Sequence, residues 1–267
     1  MSSQKSEKRD PLVFDNDPAL YDRARPDYPP GLFRAIVKTT RLRHGSSMLE
    51  IGCGTGKSTK WFARHGYRIT AVEKGANLAA YASAKFSGRR NVTVVNSSFE
   101  DFKGDAGAYS LIYSGTAFHW LDRKIAYMKC ASLLKEGGHI ALFWIDHVLS
   151  DISRAQFAAI QEAYREYMPD WAAEFDLNGP NEMSEKRVSE INESGLFRMT
   201  GSRDFYFTVD YGPQDYIDLL STYSDHAVLP EATKNGLFSR VASIIEEKCG
   251  GTLTKEYRAS LYMAERL

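Results

Sequence analysis

An excess of charge of one sign is missing: 34 Lys and Arg offset 34 Asp and Glu in 267 residues, leaving a formal net charge of zero. That removes the electrostatic footprint of a chain that tracks nucleic-acid phosphates, so nucleic acid is disfavoured as a partner. Cysteine is scarce as well. Cys53, Cys130 and Cys249 stand apart with no C-x-x-C pair, which argues against a disulfide framework or a zinc site, and no metal is expected. Long hydrophobic runs are absent, since the longest, at 140–145, falls far short of the ~20 residues that span a bilayer. The first ten residues are polar with mixed charge, unlike a secretory leader. These absences lead to the expectation of a cytoplasmic protein without membrane segments, a monomer or homodimer, and there is neither an internal repeat nor a low-complexity segment.

What is present is a large apolar fraction, 43% of the chain, enough to bury the core of one α/β domain with an inserted cap. Apolar runs alternate with helical periodicity. Strands are expected at 47–51, 68–73, 91–96, 109–114 and 138–145, with helices at 57–65, 76–85 and 122–134 between them. Such alternation builds a parallel sheet covered on both faces, doubly wound through right-handed crossovers. Beyond 146 the pattern loosens. An amphipathic helix carries Phe157, Ile160, Tyr164 and Tyr167, and a looser stretch follows with Trp171, Phe175 and Leu177. A sixth strand is expected at 197–209, two helices around Tyr216 and Leu237, and a last strand at 253–263. The surplus helices at about 150–195 and 210–250 are expected to cap the mouth of the sheet. Ahead of it, residues 1–29 form an arm in which Phe14, Tyr21, Arg25, Tyr28 and several prolines crowd together. It reads either as a packed extension or as a lid whose Tyr21 and Arg25 close over a ligand.

The first strand runs into Glu50-Ile51-Gly52-Cys53-Gly54-Thr55-Gly56-Lys57-Ser58, a turn that brings backbone N–H groups and a helix start against a polar ligand. A dinucleotide fingerprint would need glycine at 57, and a Walker loop would need it at 51. Neither is there. Glu73 follows at the end of the second strand, at the distance of about 20 residues where an acidic side chain takes the ribose hydroxyls of a bound nucleoside. Lys57 reads as a residue that caps or solvates its helix, and Cys53 as a small packing residue with no cation beside it to activate a thiolate.

The G-x-G-x-G spacing behind an acidic residue resembles motif I of the class I S-adenosylmethionine-dependent methyltransferases. Further stretches extend the likeness in the right order. Asn96-Ser97-Ser98-Phe99-Glu100-Asp101-Phe102 looks like the family's adenine-recognition segment, Thr116-Ala117-Phe118-His119-Trp120 resembles its segment after the fourth strand, and Leu133-Leu134-Lys135-Glu136-Gly137-Gly138-His139-Ile140 its turn into the fifth. The arm around Arg25-Pro26-Asp27-Tyr28-Pro29 is similar to that of small-molecule members such as the trans-aconitate and quinone C-methyltransferases. The resemblance implies a Rossmann-like, seven-stranded, mostly parallel sheet with its last strand antiparallel. It implies S-adenosylmethionine as cofactor, held by Tyr21, Arg25, Glu50, Gly52, Gly54, Gly56, Glu73, Ser98, Phe99, Ser114 and Trp120. His119 is either a general base or a wall of the cofactor pocket. The expected reaction is in-line displacement onto a small molecule, the cap aromatics Trp171, Phe175, Tyr206, Tyr211, Tyr216 and Tyr223 enclosing it and Arg203, Ser224 or His226 anchoring it. A macromolecular acceptor, a non-catalytic cofactor-binding module and a nucleotide-binding oxidoreductase are the alternatives.

Overall fold

The computed structural model describes residues 15–169, 171 and 181–267; Phe14, Phe175 and Leu177 lie outside them. Four short strands, β1 (Ser47–Ile51), β2 (Arg68–Glu73), β3 (Val92–Asn96) and β4 (Tyr109–Gly115), are followed by three long ones, β5 (Leu134–Val148), β6 (Phe197–Tyr211) and β7 (Leu253–Arg266). They form one sheet in the order β3-β2-β1-β4-β5-β7-β6. The first five pair in parallel, and β7 runs antiparallel between β5 and β6.

Side chains alternate across the pleat with a period of two, so neighbours in one strand enter different cores. Met48, Leu111, Ala141 and Leu261 meet Leu32, Phe33 and Ile36 of α2 (Pro30–Thr40) and Phe62 of α3 (Thr59–Arg64) on one face. Leu49, Ile112, Leu142 and Tyr262 meet Tyr127, Cys130 and Leu133 of α5 (Arg123–Leu133) on the other. Between them in sequence, α4 (Ala76–Phe86) buries Ala82 in the first of these cores.

A third core belongs to the cap. α6 (Asp151–Tyr167), α8 (Pro213–Ser221) and α10 (Glu231–Lys248) bury Phe157, Ile160, Tyr216, Leu219, Leu237, Val241 and Ile244 against Leu253 and Tyr257 of β7. The helix α7 (Asn181–Glu193) goes elsewhere: Ile191 joins the sheet-face core beside Phe197. A short helix, α9 (Ser224–Ala227), lies between α8 and α10.

The antiparallel strands outrun the parallel ones. β5 continues past Ile145, pairing Asp146 with Arg258 and His147 with Tyr257. Sequence reading stops this strand at 145 because Asp146 and His147 break the apolar run. Register rather than hydrophobicity carries them, since β7 extends alongside and supplies the ladder. The extension lifts His147 and Tyr257 beyond the carboxyl ends of β1 and β4, where ligands of open α/β sheets bind.

Among the described residues no helix is long and apolar enough to cross a membrane, and no group of three or more His, Cys, Asp or Glu could hold a metal ion.

Replacing the fully buried Leu261 by alanine empties space in a close-packed core and should cost about 2–5 kcal/mol. Tyr206, 68% exposed on β6, should tolerate the same change within about 0.5 kcal/mol. Urea midpoints of both variants check this, and equal shifts would contradict the assigned faces of β6 and β7.

Candidate active site

The loop after β1, an interior strand, makes a tight turn at the carboxyl end of the sheet. Gly52 and Gly56 have φ of +66° and +80°, in the left-handed region. A Cβ on Gly52 would stand 2.5 Å from Ala117 Cβ, and one on Gly56 2.4 Å from the Phe86 ring. Conformation and clearance both demand glycine here.

Two carboxylates fix the loop. Glu73 accepts hydrogen bonds from the backbone N–H groups of Gly54 (2.7 Å) and Gly75 (2.8 Å). Burial raises its pKa, and those N–H groups oppose the rise. Beneath the loop, Glu50 is fully buried and accepts from the hydroxyls of Ser58, Thr59 and Tyr113. Burial pushes its carboxyl from 4.5 up to about 7, against those three donors.

A cavity of about 230 Å³ opens above the loop, with Gly52, Gly54 and Glu73 on its floor, Leu78, Ser98 and Phe99 on one wall, and His119 and Trp120 on another. Tyr21 and Arg25 from the arm line it as well. Of the other residues expected to touch cofactor, Glu50, Gly56 and Ser114 lie behind the wall: Ser114 is buried and donates to the Ile51 carbonyl (2.9 Å), and Gly56 packs on Phe86. Ser98 donates to Asp101 (2.7 Å) and accepts from its N–H (3.0 Å), which shapes the turn after β3. His119 accepts from the indole N–H of Trp144 (3.1 Å). Burial, followed by Arg187 and Arg123, lowers its pKa to about 4, so the ring is neutral near pH 7.

The arm is bound on two sides. Its helix α1 (Pro18–Ala24) is capped by Asp17, which accepts from Leu20 N–H (2.9 Å). Asp15 accepts from the N–H groups of Asn77 and Leu78, and Asp22 pairs with Lys85, both on α4. Across the site Arg25 donates to the Thr222 carbonyl (2.8 Å) and lies 4.3 Å from the Tyr223 ring centroid. Lys57 is not a solvated helix cap. Its ammonium is largely buried and donates to the Asp22 carbonyl (2.7 Å) and to Asp27 (3.2 Å), tying the glycine loop to the arm.

A second cavity of about 320 Å³ shares Tyr21, Arg25, Gly52, Gly54, Gly115 and Thr116 with the first. Tyr28, Lys57, His147, Tyr223 and Tyr257 complete it. At the junction Thr116 adopts φ +54°, an unusual conformation for a β-branched residue. Its hydroxyl shares a hydrogen bond with Tyr28 (2.9 Å), and its N–H donates to the Phe143 carbonyl (2.7 Å). His147 Nε2 is buried with no hydrogen-bond partner among the described residues. Burial and then Lys255 push its pKa down to about 3, so it too is neutral. Neither residue stands out in the sequence: His147 looks like the polar end of a strand, and only the backbone angle singles out Thr116 within its segment. Cys53 lines this cavity, but burial raises its pKa well above the ordinary range, which leaves an inert thiol.

Four proposed cap residues lie away from the cavities or serve other partners. Arg203 stands over Phe205 and borders an open surface groove, Tyr206 faces solvent, and Tyr211 bonds to Tyr257. His226 is buried and bonded to Asp225 and Tyr164. Tyr216, Tyr223 and Trp171 line a third cavity beyond the second.

A doubly wound sheet with this terminal antiparallel strand, a glycine loop and an acid at the end of β2 defines a nucleoside-cofactor fold of the methyltransferase type. Residues 49–142 match the model of the methyltransferase domain. An uncharacterised methyltransferase of Schizosaccharomyces pombe is 30% identical over 235 residues, 88% of this chain and 87% of that protein. A malonyl-[acyl-carrier protein] O-methyltransferase of Paenibacillus is 23% identical over 215 residues, 75% of each. The structure of a candidate type II methyltransferase from Anaeromyxobacter dehalogenans superposes with a TM-score of 0.67 at 17% identity, covering 90% of this chain and 97% of that one. The chain belongs to the class I S-adenosylmethionine-dependent methyltransferases, and S-adenosylmethionine is its cofactor.

Two variants test the carboxylates. Glu73→Ala should weaken binding of S-adenosylmethionine by about 1.5–3 kcal/mol in calorimetry, through loss of a charged acceptor; unchanged affinity would remove Glu73 from the site. For Glu50, the folded state holds the proton more tightly than the unfolded chain. Its contribution is therefore complete below pH 4.5 and lost as pH rises through about 7. Glu50→Gln keeps the shape without the charge, so its urea midpoint should fall less than that of the wild type between about pH 5 and pH 8. Parallel falls would place the titration elsewhere.

Proposed function

We propose that the enzyme transfers the sulfonium methyl of S-adenosylmethionine to a small molecule seated in the second cavity. The observation that carries this reading is the shared wall. Gly52, Gly54, Gly115 and Thr116 border both chambers, so a cofactor on the glycine loop presents its methyl group to an acceptor beyond them. A volume of about 320 Å³, closed in part by aromatic rings, fits a metabolite rather than a duplex or a folded protein surface.

When bound, the cofactor supplies an electrophilic methyl group. The protein's part is to hold the acceptor in line, exclude water and keep the sulfonium compatible with its walls. Glu73 is assigned to the ribose, Ser98 and Phe99 to the adenine, and Gly52 and Gly54 to the methionine end. Glu50, Gly56 and Ser114 act by shaping the loop. The arm is assigned the role of lid, its Tyr21 and Arg25 covering the junction of the two chambers. For the acceptor, His147 is a better candidate than His119, because its ring borders the second cavity and its buried Nε2 has no hydrogen-bond partner among the described residues, while His119 Nδ1 already holds the Trp144 indole. A neutral imidazole there can accept a hydrogen bond from the attacking group as the proton leaves.

The Paenibacillus relative is named for an acyl group carried on a protein, which makes a carrier-bound acyl chain the second reading. Methyl-labelled S-adenosylmethionine incubated with the enzyme and fractionated cell extract separates them. Label should appear in small molecules; label confined to protein or RNA would overturn the proposal. On the acceptor so identified, His147→Phe should lower turnover at least about tenfold with cofactor affinity unchanged, and an unaltered rate would return His147 to a packing role.

A further inference from the structure

Lys255 projects from β7 into the cap and is 5% exposed. Its ammonium lies 5.3 Å from the Phe157 ring centroid, 5.7 Å from Tyr216, 5.7 Å from Tyr223 and 5.8 Å from Tyr257. Among the described residues no carboxylate pairs with it and no oxygen accepts its hydrogen bonds. Burying an ammonium without a counter-charge is costly. Four rings near the ~6 Å limit of cation–π attraction offset only part of that cost. The ammonium also borders the third cavity, about 380 Å³, which shares His147 and Tyr223 with the acceptor chamber. The three cavities therefore form a sequence: cofactor loop, acceptor chamber, then the lysine at the far end.

We propose that Lys255 anchors a carboxylate carried by the methyl acceptor at the end remote from the methylated atom. The inference rests on the small-molecule reading and adds the chemical class: an elongated acid whose apolar middle lies along Tyr223, between the attacking group at His147 and the carboxylate at Lys255. A monoanion fits better than a phosphate dianion. The cavity offers one ammonium, and Asp225, on the same wall, is already turned to the backbone N–H (2.9 Å) and Nδ1 (2.8 Å) of His226. Among the described residues that line this cavity, a second negative charge on the ligand would find no second Lys or Arg. The Gln161 amide lines the same cavity and can donate to the other carboxylate oxygen.

Calorimetry on the full chain saturated with S-adenosylhomocysteine tests this with hexanoate, hexan-1-ol and hexyl phosphate. Hexanoate should bind at least about tenfold more tightly than the alcohol, and more tightly than the phosphate. Lys255→Met should erase the preference over the alcohol and Lys255→Arg should keep it, both with unchanged affinity for S-adenosylhomocysteine. Equal binding of hexanoate and hexan-1-ol to the wild type, no binding of hexanoate at millimolar concentration, or a preference that survives in Lys255→Met would overturn the proposal. So would tighter binding of hexyl phosphate. The wild-type comparison needs no variant to fold. It also involves no methyl transfer, so it is independent of the labelling result that would sink the small-molecule reading itself.

Discussion

The hydrogen bonds from Gly54 and Gly75 to the Glu73 carboxylate join the end of β2 to the loop after β1. Everything above the sheet depends on that clasp. A loop with φ above +50° at Gly52, Gly54 and Gly56 has only a few backbone hydrogen bonds, from Gly52 and Cys53 to the Val72 carbonyl and from Gly56 to that of Cys53, so side chains complete its shape. Glu73 holds it from the ligand side and Glu50 from below. The lower carboxylate is served by three hydroxyls instead of a cation. That leaves it strained toward the neutral form by burial, and links the loop to Tyr113 in the middle of β4. The glycine loop is thus built on two buried acids whose interactions with backbone and hydroxyl donors cannot be replaced by packing alone.

The arm completes the same region by charge. Asp15 and Asp22 reach α4, Lys57 reaches back from the glycine loop, and Arg25 crosses to the cap at Thr222 and Tyr223. Only one of these pairings involves residues close in sequence order to the loop, yet together they set three elements around one opening. Lys57 itself is tied to the arm, through the Asp22 carbonyl and Asp27.

Most of the fold is legible in the sequence because strands and helices alternate with clear periods and end in glycines. Val92-Thr93-Val94-Val95 can be little else than a strand, and Glu73 stands where a strand end and a loop meet. Less legible is whatever depends on partners far along the chain. The extension of β5 through Asp146 and His147 is supported by β7, more than a hundred residues on, and no local pattern announces it. The helix α7 is polar overall and packs through few side chains, so its periodicity is faint. Lys255 reads as an ordinary charged strand residue until four rings from α6, α8, β7 and the loop after α8 are seen around it. Thr116 carries no sequence mark at all of its positive φ.

In the function proposed above, the glycine loop and Glu73 hold the nucleoside while the shared wall at Gly115 and Thr116 opens the methyl group to the acceptor chamber. A crystal structure with S-adenosylhomocysteine bound tests it most directly. In it the ribose hydroxyls should lie on Glu73, the adenine between Leu78 and Phe99, and the sulfur should face the shared wall at Gly115 and Thr116, beyond which Tyr28 and His147 line the second cavity. A ribose lying away from Glu73, or a sulfur directed toward Trp144 and Arg187 instead, would contradict it.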